Sequence, residues 1–212
     1  MSAMIAGDLG FVHVWKPRAD PADAPTLLVL HGTGGDEHDL VPLAEALAPH
    51  ANVLSPRGQV SENGMPRFFR RFAEGVLDAD DLKARAIELA DFLARAADAY
   101  GFDPARVHAL GYSNGANVAL GILFERPRAL AGAALARPML AYEPAPARAL
   151  EGKRALVLAG ARDPFTTPAQ AQRLADVLAA QGAAVELHVE PAGHELGRGD
   201  LDAARRWAES VA

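Results

Sequence analysis

Hydrophobic positions along the chain fall into short continuous runs, separated by stretches with helical spacing. "TLLVLH" (Thr26 to His31) is a continuous apolar run, the pattern of a strand covered on both faces, and "ANVLSP", "ARVHAL", "LAGAALA" and "RALVLAG" are further short runs of that kind. "FVHVW" (Phe11 to Trp15) and "AVELHV" (Ala184 to Val189) alternate with period two instead. The first is expected to be an antiparallel edge strand, and the second to lie near a sheet edge. From Asp80 to Tyr100, residues Leu82, Ala86, Leu89, Leu93, Ala96 and Tyr100 form one stripe at helical spacing. Asp80 or Asp81 is expected to cap that helix, with Gly101 and Pro104 ending it. Further helices are expected near Leu40–Ala48, Asn114–Glu125, Pro168–Gln181 and Leu201–Val211. About seven strands alternating with helices predict an α/β fold built on a mostly parallel central sheet.

One segment breaks the pattern. Residues 56–78, "PRGQVSENGMPRFFRRFAEGVLD", show no clean period and are rich in Gly, Pro, Arg and Phe. A stretch of that kind inside a compact fold is commonly a functional loop, so it is read as a lid or substrate-pocket loop. Phe68, Phe69 and Phe72 within it are candidates to line a pocket, and anchoring the loop in the core is an equal alternative. The stretch from Tyr142 to Gly152 reads as a connector too short to hold a cap domain. With no internal repeat, residues 1–212 are expected to form a single domain.

Composition narrows the function by exclusion. The chain has 212 residues, half of them hydrophobic, and a net charge of −6, which offers no broad basic face for nucleic acid. It has no cysteine, so disulfides, thiolate metal sites and cysteine nucleophiles are excluded. No run approaches the ~18 apolar residues of a membrane span, and the N-terminus lacks a basic region followed by a long apolar core. A soluble, cytoplasmic protein is the expectation.

The candidate chemistry starts at "GYSNGAN". Gly111-Tyr112-Ser113-Asn114-Gly115 matches G-x-S-x-G between an expected strand and an expected helix. The glycines relieve collisions at a sharp turn that lifts the serine oxygen above the sheet edge, and the helix behind it aims N–H groups at developing negative charge. A capped Gly-rich turn would share the pentapeptide but requires no partners. A serine nucleophile requires a base, and of seven histidines His194, in "EPAGHEL", follows a strand and precedes the last helix. Asp163, in "GARDPFTTP", likewise follows a strand and is the candidate to orient that histidine. Asp36, Asp39 and Asp200 compete less well, since none follows a late strand. The loop "LHGTGGDE" after the first buried run supplies an oxyanion-hole candidate in the Thr33 amide, with the Asn114 amide as the second donor. Neither phosphate-binding glycine motif is present, and the consecutive residues Asp36 to Asp39 point in different directions, which disfavours a metal site.

Taken together, "LHGTGGDEHDL", "RGQVSENGMPRFFRR", "GYSNGAN", "GARDPFTTP" and "PAGHEL" resemble, in order, the phospholipase/carboxylesterase family of α/β-hydrolases, related to acyl-protein thioesterases and dienelactone hydrolases. The resemblance covers nearly the whole chain. It implies an α/β-hydrolase fold without a cap domain, Ser113 as nucleophile, Asp163 as acid, His194 as base, and Thr33 and Asn114 at the oxyanion hole. It implies a serine carboxylesterase acting on a small-molecule ester without metal or other cofactor. Thioester or lysophospholipid hydrolysis is the runner-up, and a non-catalytic ligand-binding homologue the third reading. The resemblance leaves a homodimer open. Acyl-protein thioesterases carry Gln after the nucleophile and an apolar residue after "HG", where this chain has Asn114 and Thr33. Dienelactone hydrolases use a cysteine nucleophile, which this chain lacks.

Overall fold

The computed structural model describes residues 9–145 and 148–211. Residues 1–8, read above for a leader, lie outside the described residues, as do 146–147 of the connector and 212. The chain runs β1 (His13–Lys16), β2 (Thr26–Leu30), α1 (Val41–Leu47), β3 (Asn52–Pro56), β4 (Val60–Glu62), β5 (Met65–Arg67), β6 (Arg71–Ala73), β7 (Val76–Leu77) and α2 (Ala79–Tyr100). It continues through β8 (Val107–Tyr112), α3 (Asn114–Glu125), β9 (Gly132–Ala136), β10 (Arg154–Gly160), α4 (Pro168–Ala180), β11 (Ala184–Glu190) and α5 (Arg198–Ser210).

Seven strands make the central sheet in the order β1-β3-β2-β8-β9-β10-β11. Only β1 is antiparallel, pairing His13 with Pro56 on β3. Every other pair is parallel, so both alternating strands sit at the sheet edges, as their period-two pattern requires. The continuous apolar runs are covered on both faces. On β2, Leu28 and Leu30 join a core shared with α2 and α3, while Leu27 and Val29 join a second core beneath α1 and α5. From β2 the sheet grows to one side through β3 and to the other through β8. The carboxyl ends of β2 and β8 therefore meet where the strand order reverses, the position at which open α/β sheets bind ligands.

Two helix starts differ from expectation for local reasons. Helix α2 is capped by Asp78, whose carboxylate accepts the Asp81 N–H at 3.0 Å, so Asp80 and Asp81 sit inside the first turn. Helix α5 begins at Arg198, ahead of Leu201, because the buried Asp200 carboxylate accepts the Gly197 N–H at 2.9 Å.

Residues 56–78, which show no clean period in the sequence, have regular structure of their own. They form two antiparallel hairpins, β4–β5 and β6–β7. The first turns through Asn63 and Gly64, both at positive φ (53° and 83°), the conformation a two-residue Asn-Gly turn favours. Phe68 and Phe69 are buried in the core, whereas Phe72 is 75% exposed, so the three phenylalanines do not act as one apolar group.

Candidate active site

The turn from β8 into α3 holds Ser113 at φ 52° and ψ −111°, a conformation that L-residues with side chains rarely adopt. Two close approaches make the strain possible. A Cβ on Gly115 would lie 2.1 Å from the Leu30 carbonyl oxygen, and one on Gly111 would lie 2.6 Å from the Gly115 carbonyl oxygen. The Ser113 N–H donates to the Ala136 carbonyl at 2.8 Å, which ties the turn to the end of β9. Ser113 is thus fixed by backbone on two neighbouring strands.

His194 follows β11 and spans the site. Its Nε2 lies 2.9 Å from Ser113 Oγ, and its Nδ1 lies 2.9 Å from Asp163 Oδ2. The other oxygen of Asp163 accepts the Phe165 N–H at 2.8 Å, so the carboxylate is held in one orientation. The Phe165 ring packs edge-on against the imidazole with centroids 5.0 Å apart.

The loop carrying His194 is gripped at three successive carbonyls. Arg137 Nε donates to the Gly193 oxygen at 3.1 Å, Tyr112 OH to the His194 oxygen at 3.1 Å, and Arg137 Nη2 to the Glu195 oxygen at 2.7 Å. Burial pushes the Tyr112 phenol above its ordinary pKa, which keeps it a donor. Arg137 itself is held at φ 56° and pairs with Asp200 through contacts of 2.6 and 3.1 Å, both side chains being 0% exposed. A buried guanidinium requires such a partner, because alone it would lose its hydration uncompensated. Arg137 Nε also lies 4.0 Å from Asp163 Oδ2.

The glycine loop after β2 closes the other side. His31 is buried, with Nδ1 2.7 Å from the Gly32 carbonyl and Nε2 accepting the Gly58 N–H at 2.9 Å. Burial holds its pKa below the ordinary value, in keeping with a neutral ring that donates at one nitrogen and accepts at the other. The Thr33 hydroxyl accepts from Arg67 Nη1, and Asn114 Oδ1 accepts the Phe68 N–H at 2.7 Å. Both side chains are therefore ties to the hairpin segment. No protein acceptor among the described residues takes either backbone N–H. Of the acidic residues weighed for a metal, Glu37 is bound in a two-pronged pair with Arg57 and Asp36 accepts the His38 N–H.

Above Ser113 opens a cleft lined by Thr33, Asn114, His194 and Phe165 and, from the hairpins, by Arg67 and Arg71. None of Phe68, Phe69 or Phe72 lines it. Phe68 instead rests against the His31 ring, 4.6 Å between centroids, and Phe69 lies under the Arg67 guanidinium at 5.8 Å.

Relatives share both sequence and fold. The Bacillus subtilis protein named "Putative hydrolase MhqD" is 42% identical over 181 residues, covering 85% of this chain and 90% of that protein. A Bacillus cereus carboxylesterase of known structure is 44% identical, covers 96% of this chain and 95% of that one, and superposes with a TM-score of 0.91. A Mesorhizobium loti carboxylesterase is 32% identical, covers 98% of each chain and gives a TM-score of 0.87. The chain belongs to the phospholipase/carboxylesterase family of α/β-hydrolases. No protein-family model matches it.

As a member of this family, the protein holds three sequence-selected residues, Ser113, His194 and Asp163, in one hydrogen-bonded line. Arg137 and Asp200 were not among the selected site residues. A hint lies in "LARPML", where a charged residue ends a fully apolar strand and precedes proline, and in the acid at the first turn of the last helix. Only folding shows that those two positions meet.

Proposed function

We propose that this hydrolase-family protein is a serine carboxylesterase that acts on small to medium esters through an acyl-enzyme. The observation that carries the reading is His194, which bridges Ser113 Oγ and Asp163 Oδ2 at 2.9 Å on each side. With its Nδ1–H donated to Asp163, Nε2 is left free to accept the serine proton. Ser113 Oγ then attacks the acyl carbonyl, and His194 becomes an imidazolium that the Asp163 carboxylate stabilises. The unclaimed N–H groups of Thr33 and Asn114 are the donors for the tetrahedral oxyanion, each contributing about 3–4 kcal/mol at the transition state. The alcohol departs with the proton from Nε2, water enters, and the same steps in reverse order of roles release the acid. The carboxylesterase relatives favour an ester over other acyl substrates.

Labelling with a fluorophosphonate probe, alongside turnover of a short-chain ester, tests the assignment. Wild-type protein is expected to label once and to hydrolyse the ester. Ser113→Ala is expected to lose all labelling and about 10⁴–10⁶-fold in kcat. Equal labelling of both proteins would remove Ser113 from the mechanism.

A further inference from the structure

The cleft over Ser113 has a charge opposite to that of the whole protein. The chain carries a net charge of −6, yet the cleft lining contains arginines and no carboxylate among the described residues. Arg137 is already neutralised by Asp200. That leaves Arg67 and Arg71, both contributed by the hairpins, with a single acid between them. Glu62 lies 3.2 Å from Arg67 Nε and 3.0 Å from Arg71 Nε. Two cations and one anion leave one positive charge unbalanced. Burial and the neighbouring Arg71 lower the Arg67 pKa, while Glu62 opposes that shift, so the two cations are close enough to repel.

The two arginines are not equally occupied. Arg67 is buried and donates to the Phe69 carbonyl and the Thr33 hydroxyl, which makes it part of the wall. Arg71 gives only its Nε to Glu62, and no protein group among the described residues accepts from its two terminal nitrogens. Its side chain is 19% exposed and lines the cleft. A guanidinium edge with both terminal nitrogens unclaimed matches the two oxygens of a carboxylate. One carboxylate would also bring the Arg67–Glu62–Arg71 group to neutrality, whereas a doubly charged phosphate would overshoot it.

We infer that the hairpin wall is an anion subsite, and that the preferred substrate is an ester carrying one carboxylate, bound through Arg71. This rests on the serine-esterase reading and adds the substrate class to it. The carboxylate could sit on the acyl part, as in a dicarboxylic acid monoester, or on the alcohol part.

Two matched pairs followed in a pH-stat with the full chain distinguish these sources: monomethyl succinate against methyl butyrate, and meta-acetoxybenzoate against phenyl acetate. In at least one pair, kcat/KM for the anionic ester is expected to be at least about tenfold the higher. The succinate pair reports an acyl-side carboxylate and the benzoate pair an alcohol-side one. The preference is expected to shrink as salt is added, since the subsite is open to solvent. Arg71→Gln is expected to bring the ratio towards one, chiefly through the KM of the anionic ester, and Arg71→Lys to keep part of it. A ratio of one or less in both pairs, or a ratio unchanged in Arg71→Gln, overturns the subsite. Should Arg71→Gln fail to fold, the wild-type salt dependence decides, and a salt-independent preference counts against it. Failure of the serine-esterase reading would look different: none of the four esters would turn over, and the fluorophosphonate would not label.

Discussion

The strand-end platform and the hairpin wall face each other across one cleft, and they are built by opposite means. The platform that carries Ser113 and His194 is held by backbone: carbonyl oxygens within 2.1 and 2.6 Å of where glycine side chains would be, and three consecutive carbonyls bonded on the histidine loop. Its Arg137–Asp200 ion pair is fully buried. The wall consists of strands two or three residues long, joined to one another by partly exposed pairs such as Arg71–Glu62. Reacting atoms require placement within a fraction of an ångström, which close packing supplies. A surface that selects substrates requires only matching charge and shape, and side chains can change there without moving the backbone. On the proposed reading, chemistry and choice are thus assigned to parts with different tolerance.

The largest expected effect comes from putting one methyl group into the platform. Gly115→Ala drives a Cβ into the Leu30 carbonyl, where no flexible side chain can yield. Folded yield, read by circular dichroism, is expected to collapse, and any protein recovered should hydrolyse esters at least about a hundredfold more slowly. Near-normal turnover would show that the turn is looser than its contacts imply.

Asp200→Asn comes next, because it leaves the Arg137 charge buried without its partner. Denaturant unfolding is expected to show a loss of about 3–5 kcal/mol. The double change Arg137→Met/Asp200→Leu should recover most of that stability. It should still leave kcat about tenfold down with KM little altered, since the Gly193 and Glu195 carbonyls lose their donors. Recovery of kcat along with stability would mean the pair serves the fold alone.

The strand that leads to the platform also has an acid limit. His108 lies buried on β8, edge-on to Trp207, and burial above all pushes its pKa down to about 4, helped by the charges of Arg106 and Lys153. The unfolded chain takes up that proton first, near its ordinary value of about 6.5. Stability from this group is therefore complete above the unfolded value and is lost as the pH falls towards the folded one. Between neutrality and about pH 5, the wild-type protein should lose about 2 kcal/mol through His108, and His108→Leu should lose correspondingly less. Parallel unfolding curves at the two pH values make the comparison. An equal loss in both proteins would clear His108 of any part in it.

The smallest effect belongs to the wall. Phe72 is mostly exposed on β6, so Phe72→Ser should change stability by no more than about 0.5 kcal/mol, as read from the melting temperature. A larger drop would make the wall a packed element like the platform.

What could be read from the chain follows the same division. Continuous apolar runs reveal strands sandwiched between helix layers, and residues placed just after such strands must emerge on one sheet edge. Ser113, Asp163 and His194 satisfy that logic, which is why motif and position could select them together. The hairpins were harder to see, because strands of two or three residues carry no period. Asn63-Gly64 was their one clear turn signal. Composition groups Phe72 with its two neighbours, yet Phe68 and Phe69 lie in the bend before β6 and pack into the core, whereas Phe72 lies on β6 itself and is exposed. The meeting of Arg137 with Asp200 is unreadable for another reason. Their pairing joins the end of β9 to the start of α5, 63 residues apart, and no local pattern encodes it.

That last link sets an order of events during synthesis. Ser113 and its turn leave the ribosome well before α5, which brings the Asp200 that neutralises Arg137 and so stabilises the grip on the histidine loop. On the serine-esterase reading, a chain whose α5 has not yet docked lacks the Asp200 carboxylate that holds Arg137 against the loop of its base.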